Sequence, residues 1–129
     1  MTAYSSYFGL VTETLAEIER WFSGENPGVL PTLLTRFSAQ FSMITPSGGV
    51  LDLEGLERLF EPLRGMRPGL KITLSEFVGL ALYEHGAVVS YRELQEWHDA
   101  PSNDRRATVV FERDAHGKVV WRHLHETFC

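Results

Sequence analysis

The spacing of apolar residues divides the chain into a helical first half and a strand-rich second half. Apolar side chains recur at steps of three and four from Tyr7 to Phe22, which predicts an amphipathic helix that Gly24 and Pro27 end. Three further elements are predicted before the pattern changes: a short helix over residues 29–38, a strand and turn over residues 39–51, and a third helix with Asp52 as N-cap.

From Leu70 onward the apolar period changes from about 3.6 residues to 2, which is typical of strands. Residues 70–97 predict two long strands joined near Glu84–Gly86, and residues 106–128 predict a second hairpin that turns at Asp114–Gly117. Helices followed by a run of antiparallel strands predict an α+β domain. A long sheet with one apolar face has to curl around the helices, which gives a cone with an open mouth.

Composition and charge narrow the function classes. The 129 residues are enough for one domain, 1–129, and the net charge of −5 argues against nucleic acid as a partner. Lys71 and Lys118 are the only lysines, and no apolar run is long enough to span a bilayer, so we expect no membrane partner. We also expect no signal peptide, and the single cysteine, Cys129, favours a reducing cytoplasm.

The last strand, VVWRHLHETFC, carries two histidines two residues apart. Side chains alternate along a strand, so Trp121, His123, His125 and Thr127 are expected on one face. Two neighbouring imidazoles suit polar anchors or acid/base groups in a pocket, a metal site, or a hydrogen-bonded patch on the sheet surface. A metal site is disfavoured, because no nearby motif supplies further ligands.

Four pieces of sequence, in this order and at this chain length, carry a family resemblance. They are Trp21, FSMITPSGGVLDLEGL, GAVVSYRELQ and a final Trp-Arg-x-x-His strand. The chain resembles the nuclear transport factor 2-like superfamily of cone-shaped, cystatin-like α+β folds. It is most similar to a bacterial branch of domains of unknown function related to SnoaL-like polyketide cyclases. The superfamily contains ketosteroid isomerase, scytalone dehydratase and the association domain of calmodulin-dependent kinase II, so the resemblance implies the fold more than one activity.

The resemblance also implies positions for polar residues. The kinase association domain has a pocket arginine in a strand similar to SYRELQ, which suggests that Arg92 enters the pocket and pairs with Glu76 at its floor. The alternative is that Arg92 lies on the outer face among surface acids. Dehydratase-type members use paired histidines, which suggests His123 and His125, with the Glu76 carboxylate, as the acid/base residues.

The aromatic residues at helical and strand spacing have two interpretations. They pack as ordinary core, or they form the apolar wall of a ligand cavity, and one residue can do both. The predicted ligand-binding set contains these side chains: Arg92, Trp21, Phe41, Met43, Phe60, Tyr91 and Trp121.

Three functions follow from this interpretation. The first is a domain that binds a small apolar or amphipathic molecule in a mostly apolar pocket, without cofactor or metal. The second is a cofactor-free isomerase, dehydratase or polyketide-cyclase-like enzyme that uses general acid/base catalysis. The third is an association module without catalysis. The resemblance implies a homodimer formed through the sheet.

Overall fold

The computed structural model describes residues 3–129, so the first two residues of the predicted 1–129 domain lie outside it. The chain begins with two helices, continues through a short hairpin into a third helix, and ends in four long strands. The elements are α1 (Ser5–Phe22), α2 (Val29–Leu34), β1 (Phe37–Ile44), β2 (Val50–Asp52), α3 (Leu53–Phe60), a single 3-10 turn (Glu61–Leu63), β3 (Lys71–Tyr83), β4 (Gly86–Glu96), β5 (Asn103–Arg113) and β6 (Val119–Phe128).

The six strands form one open mixed sheet in the order β2-β1-β6-β5-β4-β3. All neighbours pair antiparallel except β1 and β6, which run parallel. The predicted α+β class is therefore confirmed, with helices packed against a long hairpin-rich sheet. Sequence periodicity did not predict β2, which has only three residues, or the parallel return of β6 to β1.

The helices cover one face of the sheet and build the core there. Val11 on α1, Leu33 on α2 and Val109 on β5 are fully buried, and they belong to one continuous apolar cluster. Trp21 fixes α1 to α3, since its indole Nε1 donates a hydrogen bond of 2.7 Å to the Phe60 carbonyl. Because both ends of this bond are buried, it positions α3 firmly over the sheet.

A bulge in β6 changes which side chains face the helices. Val110 pairs with His123, but the next residue, Phe111, pairs with Trp121, so Arg122 is the extra residue. Trp121 and Leu124 are consequently both buried, although strict alternation places them on opposite faces. The expected common face for Trp121, His123 and His125 is therefore wrong: only Trp121 points into the core, and the bulge is the reason.

Candidate cavity between the helices and the sheet

A cavity of about 290 Å³ lies between α1, α3 and the inner face of the sheet. Phe41 and Met43 from β1, Phe60 from α3 and Trp121 from β6 contribute apolar wall. The more exposed lining comes from the β1–β2 turn at Ser47 and from the end of α3. This volume is at the small end of the range for ligand pockets, and a mostly apolar lining is typical of them.

Besides Thr45 and Ser47 near the more exposed part, the polar lining consists of six side chains, which we call the polar cluster. Three lie on β4, one on β5, one on β6 and one in the segment after the 3-10 turn. Its members are Tyr91, Glu93, Gln95, Arg105, Glu126 and Arg67.

Strand register brings the polar cluster together. Glu93 on β4 pairs directly with Arg105 on β5, and Ala107 lies between Tyr91 and Glu126 on the neighbouring strands. The polar residues on the strands continue the phase of an apolar run: Glu93 and Gln95 follow Val89 and Tyr91, which are all buried. Period-2 alternation therefore forces these polar groups inward, because their strands cannot rotate without exposing the core.

Hydrogen bonds join five of the six cluster members in two groups. Arg67 Nη1 donates to Gln95 Oε1 at 2.5 Å, and Gln95 Nε2 in turn donates to Glu93 Oε2. Separately, Arg105 Nη1 donates to Glu126 Oε1 at 3.2 Å. The guanidinium carbon of Arg67 also lies 4.6 Å and 4.7 Å from the ring centroids of Phe22 and Trp97, so two cation–π contacts restrain the guanidinium.

Two carboxyl groups buried in the same cavity lining, on strands separated by β5, have unusual electrostatics. Burial, followed by the nearby Glu93 carboxylate, raises the pKa of Glu126 to about 7. Burial also raises the pKa of Glu93, while its hydrogen bond from Gln95 and the charge of Arg105 oppose that effect. Desolvation raises the pKa of the Tyr91 phenol well above its usual value. The cavity thus holds a carboxyl group that changes its protonation near neutral pH.

The structure places Arg92 and Glu76 on the outer face of the sheet, away from the cavity. Arg92 does contact Glu76, with Nη1 3.2 Å from Oε2, but it also forms a two-pronged pair with Asp104, and the Glu76 side chain is about half exposed. The hydrogen bonds from Arg92 lower the pKa of both Glu76 and Asp104. The pair predicted for the pocket floor is a surface ion cluster, because the buried face of β4 is the one that carries Glu93.

The two histidines also lie outside the cavity lining. His123 Nδ1 is 2.6 Å from the Ser42 hydroxyl oxygen on β1, and His125 is exposed. Burial, then the neighbouring His125 and Arg122, lowers the pKa of His123. Of the three interpretations of these histidines, the surface patch matches their position. Within residues 3–129 no group of three or more histidine, cysteine, aspartate or glutamate side chains is arranged to hold a metal ion.

The other predicted site residues divide between cavity and core. Phe41, Met43, Phe60, Tyr91 and Trp121 line the cavity, whereas Trp21 is buried beside it and bonds to the Phe60 carbonyl. Their role in ligand binding stays a prediction. The sequence interpretation missed Glu93, Gln95, Arg105, Glu126 and Arg67; the first four carry a detectable signal, since each lies in phase with buried apolar neighbours.

Comparison with solved structures identifies the family. An NTF-2-like protein of unknown function, PA1314 from Pseudomonas aeruginosa, is 40% identical, matches with a TM-score of 0.90, and the alignment covers 95% of this chain and 98% of that one. An NTF2-like protein from Cytophaga hutchinsonii is 16% identical over 100% of both chains, with a TM-score of 0.77. The association domain of CaMKII from C. elegans is 18% identical over 97% of this chain and 95% of that chain, with a TM-score of 0.75.

These similarities place the chain in a fold class and then in a family. The fold is the cone-shaped α+β architecture shared by all three structures. The chain belongs to the NTF2-like proteins. No family model matches the chain, and no curated protein matches it. Among residues 3–129, no helix is long and apolar enough to cross a membrane.

Proposed function

We propose that residues 1–129 form a single domain that binds a small apolar or amphipathic molecule in the inner cavity. The observation that carries this proposal is the combination of a mostly apolar wall with a few buried polar groups on one set of strands. Apolar surface supplies affinity, and a small number of fixed polar groups orients the ligand.

Binding of octanol measured by calorimetry tests this proposal. Ser47→Trp places a large side chain at the exposed part of the lining and is expected to weaken octanol binding at least tenfold. Glu54→Trp, on the exposed surface of α3, is the matched control and is expected to leave binding unchanged. If the wild type and Ser47→Trp bind octanol equally well, the ligand site is not in this cavity. If the wild type does not bind octanol at all, the proposal is refuted.

A second candidate function is cofactor-free general acid/base catalysis, and the position of Glu126 favours it. A buried carboxyl group with a pKa of about 7 is suited to exchange a proton with a substrate at neutral pH, and Tyr91 supplies a hydroxyl in the same lining. The residues predicted to act as acid and base, His123, His125 and Glu76, lie away from this cavity. Glu126 is therefore the proposed acid/base residue. Loss of any such activity in Glu126→Gln, with retained octanol binding, is the expected signature.

We also propose that two copies associate through the outer face of the sheet. Val78 on β3 is an exposed large apolar residue, and structurally similar domains include hub and association domains of CaMKII. Light scattering is expected to give twice the chain mass, and Val78→Glu is expected to shift it toward the monomer. A monomeric mass for the wild type would refute this assembly.

We propose the cytoplasm as the site of action, because the lone Cys129 is a free thiol.

A further inference from the structure

The charges around the inner cavity limit the kind of head group that a ligand can carry. Among the described residues, the cavity lining contains four charged side chains: Arg67, Arg105, Glu93 and Glu126. When both glutamates are ionised, their two negative charges balance the two positive charges of the arginines. A neutral ligand therefore leaves the cavity electrically balanced, whereas every charged ligand changes this sum beside two buried glutamates, where net charge is costly.

An ammonium group cannot be balanced by these residues. It would leave three cations against two carboxylates, and no remaining group in the lining can become negative near neutral pH, because burial keeps the Tyr91 phenol protonated. A carboxylate can be balanced, however, because the Glu93–Glu126 pair can take up one proton. Two cations then face two anions.

Arg67 is the side chain left for such a carboxylate. Among residues 3–129 it forms a hydrogen bond to a neutral amide, Gln95, and no ion pair; the charge of Glu93, which accepts from the same amide, acts on it from farther away. Arg105, in contrast, already contacts Glu126 and Asn103. Since Phe22 and Trp97 hold the Arg67 guanidinium in place, an incoming carboxylate meets a preorganised donor.

We propose that the inner cavity binds a small amphipathic carboxylic acid, with its carboxylate at Arg67 and its proton on the Glu93–Glu126 pair. This inference rests on the proposed ligand-binding function and names the chemical class of the ligand. The ligand's apolar part lies against Phe41, Met43 and Phe60, and the acid enters as a neutral unit whose proton moves to the glutamate pair.

The groups facing Glu126 define the expected pH dependence. They are Tyr91 and Glu93 from β4 and Arg105 from β5, and Arg67 belongs to the same lining. Above a pKa of about 7 the pair is ionised, so each carboxylate bound must bring in a proton. Affinity for the carboxylate is therefore expected to fall about tenfold between about pH 6 and about pH 8.

Calorimetric titration of the wild-type protein with octanoate, octylamine and octanol tests the inference. Near pH 8, measured in phosphate and in Tris, octanoate is expected to take up close to one proton and octanol none. Octanoate is expected to bind at least tenfold more tightly than octylamine near pH 6. Binding of octanol without octanoate, octylamine binding as tightly as octanoate, or octanoate binding without proton uptake would each overturn it. Absence of binding by all three would instead overturn the proposed function.

Two variants test the roles of the individual residues, Arg67 as the carboxylate-binding group and Glu126 as a proton acceptor. Arg67→Gln is expected to weaken octanoate binding at least tenfold more than it weakens octanol binding, with Arg58→Gln on the exposed face of α3 as its control. Glu126→Gln leaves Arg67, Arg105 and Glu93, so the cavity accepts a carboxylate without a proton. Octanoate binding by that variant is expected to lose its pH dependence, and an unchanged pH dependence would contradict the role given to the pair.

Discussion

Replacing Glu126 with glutamine should remove a specific part of the pH dependence of folding. In the unfolded chain this carboxyl group ionises with a pKa near 4.5, whereas in the folded protein burial and Glu93 raise it to about 7. A raised folded-state pKa means that the folded protein holds the proton more tightly. The associated stability is fully present below about pH 4.5 and is lost as the pH rises toward and through about 7.

The size of this effect follows from the two pKa values. One unit of pKa shift corresponds to about 1.4 kcal/mol, so the full effect of Glu126 is about 3 kcal/mol, of which about 2.5 kcal/mol falls between about pH 5 and about pH 8. Because the carboxyl group is buried, with its side chain 5% exposed, little of this is screened by solvent. The wild type should therefore lose about 2.5 kcal/mol relative to Glu126→Gln over this interval.

Urea unfolding at about pH 5, 6, 7 and 8 measures the difference between the two proteins. Subtracting the variant from the wild type removes contributions that both share, such as that of His123, whose lowered pKa acts in the opposite direction. Glu54→Gln, at an exposed position on α3, is the control and should match the wild type. Parallel stability curves for wild type and Glu126→Gln would refute the reasoning, because they would mean that Glu126 ionises normally in the folded protein.

Three further predictions concern the frame around the cavity and the residues outside it. Trp21→Phe removes the bond to the Phe60 carbonyl and should lower the free energy of unfolding by about 1–3 kcal/mol in urea titrations; an unchanged value would mean that the bond does not fix α3. Gly86→Ala should strongly lower the free energy of unfolding, since its new Cβ would lie 2.1 Å from the Phe111 carbonyl oxygen. Gly9→Ala has open space at its position on α1, so it should raise the free energy of unfolding by up to about 1 kcal/mol. Arg92→Gln and His123→Ala should leave octanol binding unchanged in calorimetry, because both side chains lie on the outer face, and a tenfold loss in either variant would contradict that placement.

The sequence was sufficient for α1, α3 and the long strands, but the second helix predicted over residues 29–38 is too long, since α2 ends at Leu34 and β1 begins at Phe37. The apolar repeat from Tyr7 to Phe22 predicted α1, and the change to period 2 at Leu70 predicted the hairpins. These signals are strong because many residues repeat the same constraint. The three-residue β2 is too short to show any periodicity, and the parallel pairing of β1 with β6 joins residues from opposite ends of the chain.

The candidate site was harder to predict for two physical reasons. Arg122 bulges out of β6, which shifts the phase of the alternation and turns His123 and His125 away from the face of Trp121. On β4 the phase was regular, but Glu93 and Gln95 carry polar groups on the buried face, where apolar residues are the rule. Following the phase of Val89 and Tyr91 without regard to polarity would have placed both inside. Arg67 comes from an irregular segment, for which periodicity gives no information.

The most direct test of the inner cavity as a ligand site uses the methionine methyl groups. Met43 lies in the cavity wall, whereas Met66 is 63% exposed and outside it. In methyl NMR spectra of selectively labelled protein, octanoate is expected to shift the Met43 resonance in a saturable manner and to leave Met66 in place. A Met43 resonance that stays fixed while octanoate is added, or equal shifts of both methyl groups, would contradict a ligand site in this cavity.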